Sequence, residues 1–446
     1  MASSEKRIEF KQCKKVIYIL IVYLALLGIY FFSSTPISIG FYLLITIISF
    51  KNSLTPVILI GAGNYLPSLY GVSPIFIAIF IMLIVILQKK IVTREKLLIL
   101  PKISIKGIIV VGMVYWTLLT GIFSHDISFF SKLFTASIFM LILVIYYLNI
   151  SIGSNEILQY FMIGIAFGIL LTIFVWIGIN GFYSYHLYRL ALGERSDPNS
   201  TGLLFAILCF YIFINFLDEI KNRKIMFIIT LILFILSLDG LLLTQSRGSV
   251  LCLGIAILFY FITTKRRFSR INLISFRNII FLIVLLVVIL AFNKSVFSFV
   301  TDSWNIFVNR LMAPESKDGE RGYLILMSFK SFLNNPIIGI SLKDFEQMAG
   351  HITHNTFCDY MVSNGVFGIV FYIVFFIFPL LSGFKKRKCN NIKIPYYSYF
   401  ICSINILFYS ASNEKITFFL LIILQISISE EMRLNYGETY TRKQCE

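Results

Sequence analysis

The chain has 446 residues, of which 58% are hydrophobic, 16% aromatic and only 14% charged. A soluble domain carries about 45–50% apolar and about 25% charged residues, so this composition argues against a water-soluble globule. The 39 Lys and Arg against 22 Asp and Glu leave a net charge of +17. These basic residues fall in short clusters between apolar runs, the pattern of orientation signals in a membrane protein, so no nucleic-acid partner is expected.

In chain order, Lys6, Arg7, Lys11, Lys14 and Lys15 precede an apolar stretch from Val16 to about Phe32. That stretch lacks a small-residue cleavage site and reads as an uncleaved first helix. A crossing needs about 20 mainly apolar residues. Candidate spans fall near 16–34, 36–50, 55–70, 74–89, 104–124, 130–150, 158–180, 200–218, 225–241, 248–263, 278–293, 357–381, 396–411 and 416–430. That is 14 at most. The spans at 36–50 and 55–70 are short, the second holding Gly61, Gly63 and Pro67, and without that pair the count is 12. The expected fold is an all-α polytopic integral membrane protein with 12 to 14 transmembrane helices, one membrane domain over residues 1–446.

Basic clusters assign the cytoplasmic side: the N-terminus, Lys89 to Lys106, Lys221 to Lys224, Lys265 to Arg277, Lys385 to Lys393 and Arg433 to Lys443. Neighbouring clusters are separated by even numbers of spans, with or without the doubtful pair, as one orientation requires. Four other segments must then face outward: Gly181 to Asn199, Asp239 to Arg247, Asn293 to Asn355, and Ala411 to Lys415. The third is about 60 residues long against a usual connection of about 4–6. This extracytoplasmic loop, 294–356, holds Trp304, Phe307, Tyr323, Leu324 and the apolar stretch Pro336 to Ile340, so short helices packed on the outer face are expected. The 7 Cys form no C-x-x-C pair and read as small buried hydrophobes.

The chemistry must come from those outward segments. The four His are His125, His186, His351 and His354. No HExxH and no Cys/His cluster accompanies them, so no metal site is expected. No phosphate-binding glycine loop ending in Lys-Ser or Lys-Thr occurs, and no paired-Asp motif. Neither ATP nor another cofactor is therefore expected. What remains is arginine: Arg189 and Arg195 in one loop, Arg247 at a helix end, Arg310 and Arg321 in the long loop. Several guanidinium groups converging on one site suit a diphosphate, while any one of them alone could instead snorkel to lipid headgroups. His354, just before an apolar helix, reads either as an interfacial imidazole, with Asn355 or Thr356 capping the helix, or as a base facing water and the arginines.

His354-Asn355, nine residues from Thr356 to Asn364, then Gly365-Val366-Phe367-Gly368 resembles the ligase motif of the O-antigen ligase and Wzy-type polysaccharide polymerase superfamily. Arg247 with Leu251 is similar to a second pattern of that family. Gly319-Glu320-Arg321 through Asn335-Pro336-Ile337-Ile338-Gly339-Ile340 is similar to its extracytoplasmic loop, with Ser341 standing where a last Gly is usual. Ser363 stands where a Glu is frequent. The run Arg195-Ser196-Asp197-Pro198-Asn199-Ser200-Thr201-Gly202 looks like another family segment entering a helix, and the resemblance covers residues 185–380.

The resemblance implies a GT-C-like membrane glycosyltransferase in the cytoplasmic (inner) membrane. It would transfer glycans from undecaprenyl-diphosphate-linked oligosaccharide on the extracytoplasmic side, without metal or nucleotide and with inversion. Arg247 and Arg321 would hold the diphosphate, His354 would orient or deprotonate the acceptor, and Arg195, Asn355 and Arg310 would be substrate-binding. Membrane lipid and a chain-length regulator are the implied partners. The leading expectation is a polymerase of O-antigen or capsular repeat units. A ligase moving finished glycan to lipid A core or another acceptor is the alternative within the family. From another class, a lipid-linked oligosaccharide transporter or flippase fits less well. Ion-coupled carriers bury ionisable residues at mid-depth, whereas Asp239, Glu414 and Lys415 fall at helix ends.

Overall fold

The computed structural model describes residues 2–33, 35–93, 99–101, 105–123, 128–150, 152–176, 183–186, 189–192, 197–219, 224–263, 318–407 and 415–445. The expected span at 278–293, together with Arg195, Arg310, His125, Trp304 and Phe307, lies outside them. The first helices are α1 (Ala2–Phe31), α2 (Ile37–Lys51), α3 (Thr55–Ala62), α4 (Pro74–Thr93), α5 (Ile105–Phe123), α6 (Ser128–Ile150) and α7 (Ser154–Trp176). A two-stranded hairpin follows, β1 (Tyr183–His186) and β2 (Arg189–Leu192), then α8 (Pro198–Glu219), α9 (Lys224–Leu243) and α10 (Arg247–Thr263). The later helices are α11 (Asp318–Asn334), α12 (Leu342–Ala349), α13 (Thr356–Tyr372), a π-helical turn (Ile373–Ile377), α14 (Phe378–Phe384), α15 (Asn390–Asn405) and α16 (Lys415–Cys445).

Among the described residues, six stretches are long and apolar enough to cross a membrane: Lys14–Phe31, Pro74–Thr93, Phe129–Ile150, Ser154–Phe174, Pro198–Phe216 and Thr356–Phe384. Ile37–Lys51, Ile108–Phe123, Phe227–Leu243 and Arg247–Thr263 are shorter apolar helices. The segment expected at 55–70 is helical only over Thr55–Ala62, because Gly63, Pro67 and Gly71 break the run. The hairpin departs from the all-α expectation. Tyr183-Ser184-Tyr185-His186 alternates aromatic and polar residues, a strand period, and pairs antiparallel with Tyr183 opposite Leu192 and His186 opposite Arg189.

The chain forms two compact units, the first comprising Met1–Lys102 with Ile138–Thr201 and the second Ile103–Ser137 with Gly202–Glu446. In the first, every residue of α3 is buried because α3 and α7 meet backbone to backbone: a Cβ on Gly164 would collide with Ile58 O and stand 3.0 Å from Ala62 N. Tyr23 donates to Ile163 O at 2.5 Å and Asn52 to Tyr160 Oη at 3.2 Å, tying α1 and the α2–α3 turn to α7. Lys89 donates to Ile150 O at 2.9 Å, placing a cation on the carbonyl end of α6 where the helix dipole favours it.

In the second unit an aromatic layer joins α8, α10 and α15: Phe259 stacks on Phe400 at 4.9 Å, and Phe210 meets Tyr397 at 5.2 Å. Thr263 and Tyr397 hydroxyls are 2.6 Å apart. A π-turn leaves carbonyls outside the regular ladder, and the buried Tyr399 of α15 donates to one of them, Phe375 O, at 2.7 Å.

Residues 356–384, expected as one span over 357–381, are not one rod. Gly365 has φ 58 and ψ −139 inside α13, and the chain doubles back there. Phe357 and Tyr372 would be about 22 Å apart in a straight helix, yet their rings are 5.2 Å apart, and Tyr360 stacks on Phe371 at 5.3 Å. The first arm, 356–364, is about 13 Å long and too short to cross. The second, 366–384, is about 28 Å long and sufficient.

The break has a local cause. Val366 N and Val362 O, which would pair in a continuous helix, bond instead to the 335–340 turn: Val366 N donates to Pro336 O at 2.8 Å and Ile340 N to Val362 O at 2.7 Å. Gly339 has φ 77. A Cβ there would stand 2.8 Å from Asn364 N, and one on Gly365 2.5 Å from Ile337 O. The Asn-Pro turn and the Gly of the His motif are therefore two halves of one joint. Ser341, in place of a third glycine, caps α12 by accepting from Asp344 N at 2.9 Å.

Candidate active site

Arg247 opens α10 after a tight turn from α9. Thr244 donates to Leu241 O at 2.7 Å, and Gln245 takes φ 50. Ser246 Oγ accepts from Ser249 N at 3.4 Å and lies 2.9 Å from Ser249 Oγ. Thr244, Gln245, Ser246 and Ser249 are buried and Arg247 is half-buried. The turn thus makes Arg247 the first residue of a helix, at the N–H end where anions are favoured.

Ser249 links this turn to the His motif. Asn405, the last residue of α15, donates to Ser249 Oγ at 3.1 Å. The next two carbonyls receive the start of α13: Thr356 N donates to Ile406 O at 3.0 Å and Asn355 Nδ2 to Leu407 O at 3.0 Å. Asn355 also accepts from Cys358 N at 3.2 Å as the N-cap. This unbroken chain of bonds holds the start of α10, the end of α15 and the start of α13 at one end of the unit. Arg247 and His354 are brought to the same neighbourhood by it.

His354 is half-buried and left-handed, with φ 53. That conformation costs an L-residue about 1–2 kcal/mol and persists only where neighbours over-determine it. The neighbours are Asn355 on one side and Thr353 on the other. Thr353 and Asp359 are 1% and 2% exposed, and the Thr353 hydroxyl donates to Asp359 Oδ1 while accepting from Asn355 N at 3.2 Å.

Arg321 is exposed on α11, whose Leu324 packs in a buried cluster with Phe345 and Val362. Ser328 lies against Cys358, and Pro336 bonds Val366. These contacts pack α11 and the turn that follows it against α13. Arg195 and Arg310 lie outside the described residues, and Arg189 is placed only as a β2 residue. Among the described residues no group of three or more His, Cys, Asp or Glu could hold a metal ion.

Sequence reading passed over Asp359 and Thr353. The available signal was an acidic residue inside the first turn of an apolar helix, where a buried carboxylate needs a partner. Gln245 was also passed over, since its left-handed backbone leaves no mark in composition.

The second unit is therefore a helical membrane body in which hydrogen bonds join the start of α10, opened by Arg247, to the end of α15 and the start of α13, which His354 precedes. Residues 232–373, which include Arg247, Arg321, His354, Asp359 and Gly365, match the family model described as O-antigen ligase. This match supports the O-antigen ligase and Wzy superfamily that the motifs resemble. No curated protein matches the chain.

Proposed function

We propose that the protein is a membrane glycosyltransferase that polymerises undecaprenyl-diphosphate-linked oligosaccharide repeat units on the outer face of the cytoplasmic membrane. The observation that carries this reading is the bonded bridge from Ser249 through Asn405 to Thr356, which holds Arg247 and His354 at one end of three helices. Orientation supports it. α10 ends at Thr263 just before the Lys265 cluster, α14 ends at Phe384 just before Lys385, and α15 starts at Asn390 inside that cluster. Basic clusters stay inside. Rising about 24 Å along α10 and about 22 Å along α15, Arg247 and Asn405 reach the outer part of a core about 30 Å thick.

In this reading Arg247 and Arg321 hold the donor's diphosphate. His354 takes the proton of an acceptor hydroxyl, whose oxygen bonds the anomeric carbon as the bond from that carbon to the diphosphate oxygen breaks. The departing electron pair develops as charge against the guanidinium groups, where fixed donors lower the barrier most. Asn355, with its amide already committed to Cys358 N and Leu407 O, serves by holding the loop. The family description favours a second reading, an O-antigen ligase acting on lipid A core or another acceptor.

In cells, His354→Ala should abolish polymer on a glycan gel at normal protein level, and loss of surface glycan with a normal polymer ladder would favour the ligase. Unchanged glycan in both assays would remove His354 from the chemistry.

A further inference from the structure

We propose that Thr353 and Asp359 form a positioning pair that sets the direction of the His354 imidazole by holding residue 354 in its left-handed conformation. The proposal deepens the functional reading above and rests on its assignment of His354.

Residue 354 is pinned from both sides. Downstream, Asn355 caps α13 and Thr356 N is bonded to Ile406 O. Upstream, the buried Thr353 hydroxyl makes three contacts: it donates to Asp359 Oδ1, lies 3.0 Å from Asn355 O, and accepts from Asn355 N at 3.2 Å. Asp359 sits one turn into the helix that Asn355 caps, so its carboxylate ties the upstream strand of the loop to the rigid element downstream. Between two such anchors φ at 354 has no freedom. Relaxing it from 53 to the ordinary negative range would swing the Cβ bond, and the ring with it, away from its present aim. A carboxylate buried at 2% exposure in the first turn of an apolar helix is expensive to keep, and this geometric task accounts for it. Neither side chain needs to touch substrate.

The test uses full-length protein in detergent and two readouts. The first is C2–H exchange of the His354 ring, followed by mass spectrometry in a His351→Gln background so that one imidazole of the loop is read. Thr353→Val removes the hydroxyl at constant volume, Thr353→Ser restores it, and Asp359→Asn keeps an acceptor in place. The expected result is an exchange rate shifted at least about threefold in Thr353→Val and Asp359→Leu, and restored in Thr353→Ser and Asp359→Asn. The second readout is turnover. Thr353→Val should lower kcat about tenfold or more with KM for the lipid-linked donor unchanged, since misplacing a reacting group costs rate rather than binding. It should add nothing further in a His354→Gly background.

Unchanged exchange in Thr353→Val overturns the proposal, as does loss in Thr353→Ser equal to that in Thr353→Val. If Thr353→Val fails to accumulate, the Ser and Asn variants decide alone: either one shifting exchange as far as Asp359→Leu refutes the pair. Failure of the functional reading looks different. There, exchange follows the hydroxyl as expected while the wild-type protein makes no glycan product.

Discussion

Gly365→Ala tests the joint on which the His motif hangs. The added Cβ would stand 2.5 Å from Ile337 O, at a backbone with φ 58 and ψ −139. Holding an L-residue near that region costs about 1–3 kcal/mol. Relieving the contact by moving the 335–340 turn breaks Val366 N to Pro336 O and Ile340 N to Val362 O, at about 0.5–1.5 kcal/mol each. The sum is about 2–6 kcal/mol, which at about 2 °C per kcal/mol for a body this size lowers the unfolding temperature by about 4–12 °C. Thermal unfolding of the purified protein in detergent reads this directly. Gly322→Ala is the control, because a Cβ at this exposed position of α11 meets nothing within 4 Å; it should be neutral or slightly stabilising. Equal unfolding temperatures for Gly365→Ala and wild type would refute the joint.

Further expectations concern other links in the fold. Gly164→Leu should destroy the α3–α7 contact and sharply reduce recoverable protein, whereas Gly153→Ala, with open space around it, should be recovered normally; equal yields would contradict the packing described. Tyr399→Phe should lower stability by about 1–3 kcal/mol, because Phe375 O loses its buried donor; no change in unfolding temperature would show that the π-turn needs no such support. Asn355→Ala should cost about 1 kcal/mol as a lost N-cap but reduce glycan product far more than that implies, since the cap also holds His354; proportionate losses would argue for a cap alone. Arg321→Lys keeps the charge and loses the fork, so a large drop in product is expected, and near-normal product would assign Arg321 to headgroup contact.

Much of this architecture was legible because apolar runs and basic clusters are written directly in composition. Helices at 37–51, 74–93, 105–123, 198–219 and 247–263 fall where the spans were read, and helices at 318–334 and 342–349 lie within the sequence range read as one long loop. What escaped depends on backbone angles and on contacts distant in sequence. Periodicity cannot reveal that Gly365 reverses the chain, because residues on both sides of it are helical and apolar. The Pro336–Val366 bond spans the whole of α12 and the His loop. His354 and Asn355 were visible as a motif, whereas Asp359 and Thr353 matter only once the loop is folded onto the first turn of α13. The hairpin at 183–192 was hidden between two long apolar helices that dominated the reading.

The most direct measurement takes purified protein in detergent with one undecaprenyl-diphosphate oligosaccharide, adds no metal and no nucleotide, and reads the products on a gel. The account expects a ladder of repeats that disappears in His354→Ala and Arg247→Ala while both variants unfold at the wild-type temperature. Binding of the lipid with no product, alone or after addition of a lipid A core acceptor, would contradict glycosyl transfer and favour a transporter.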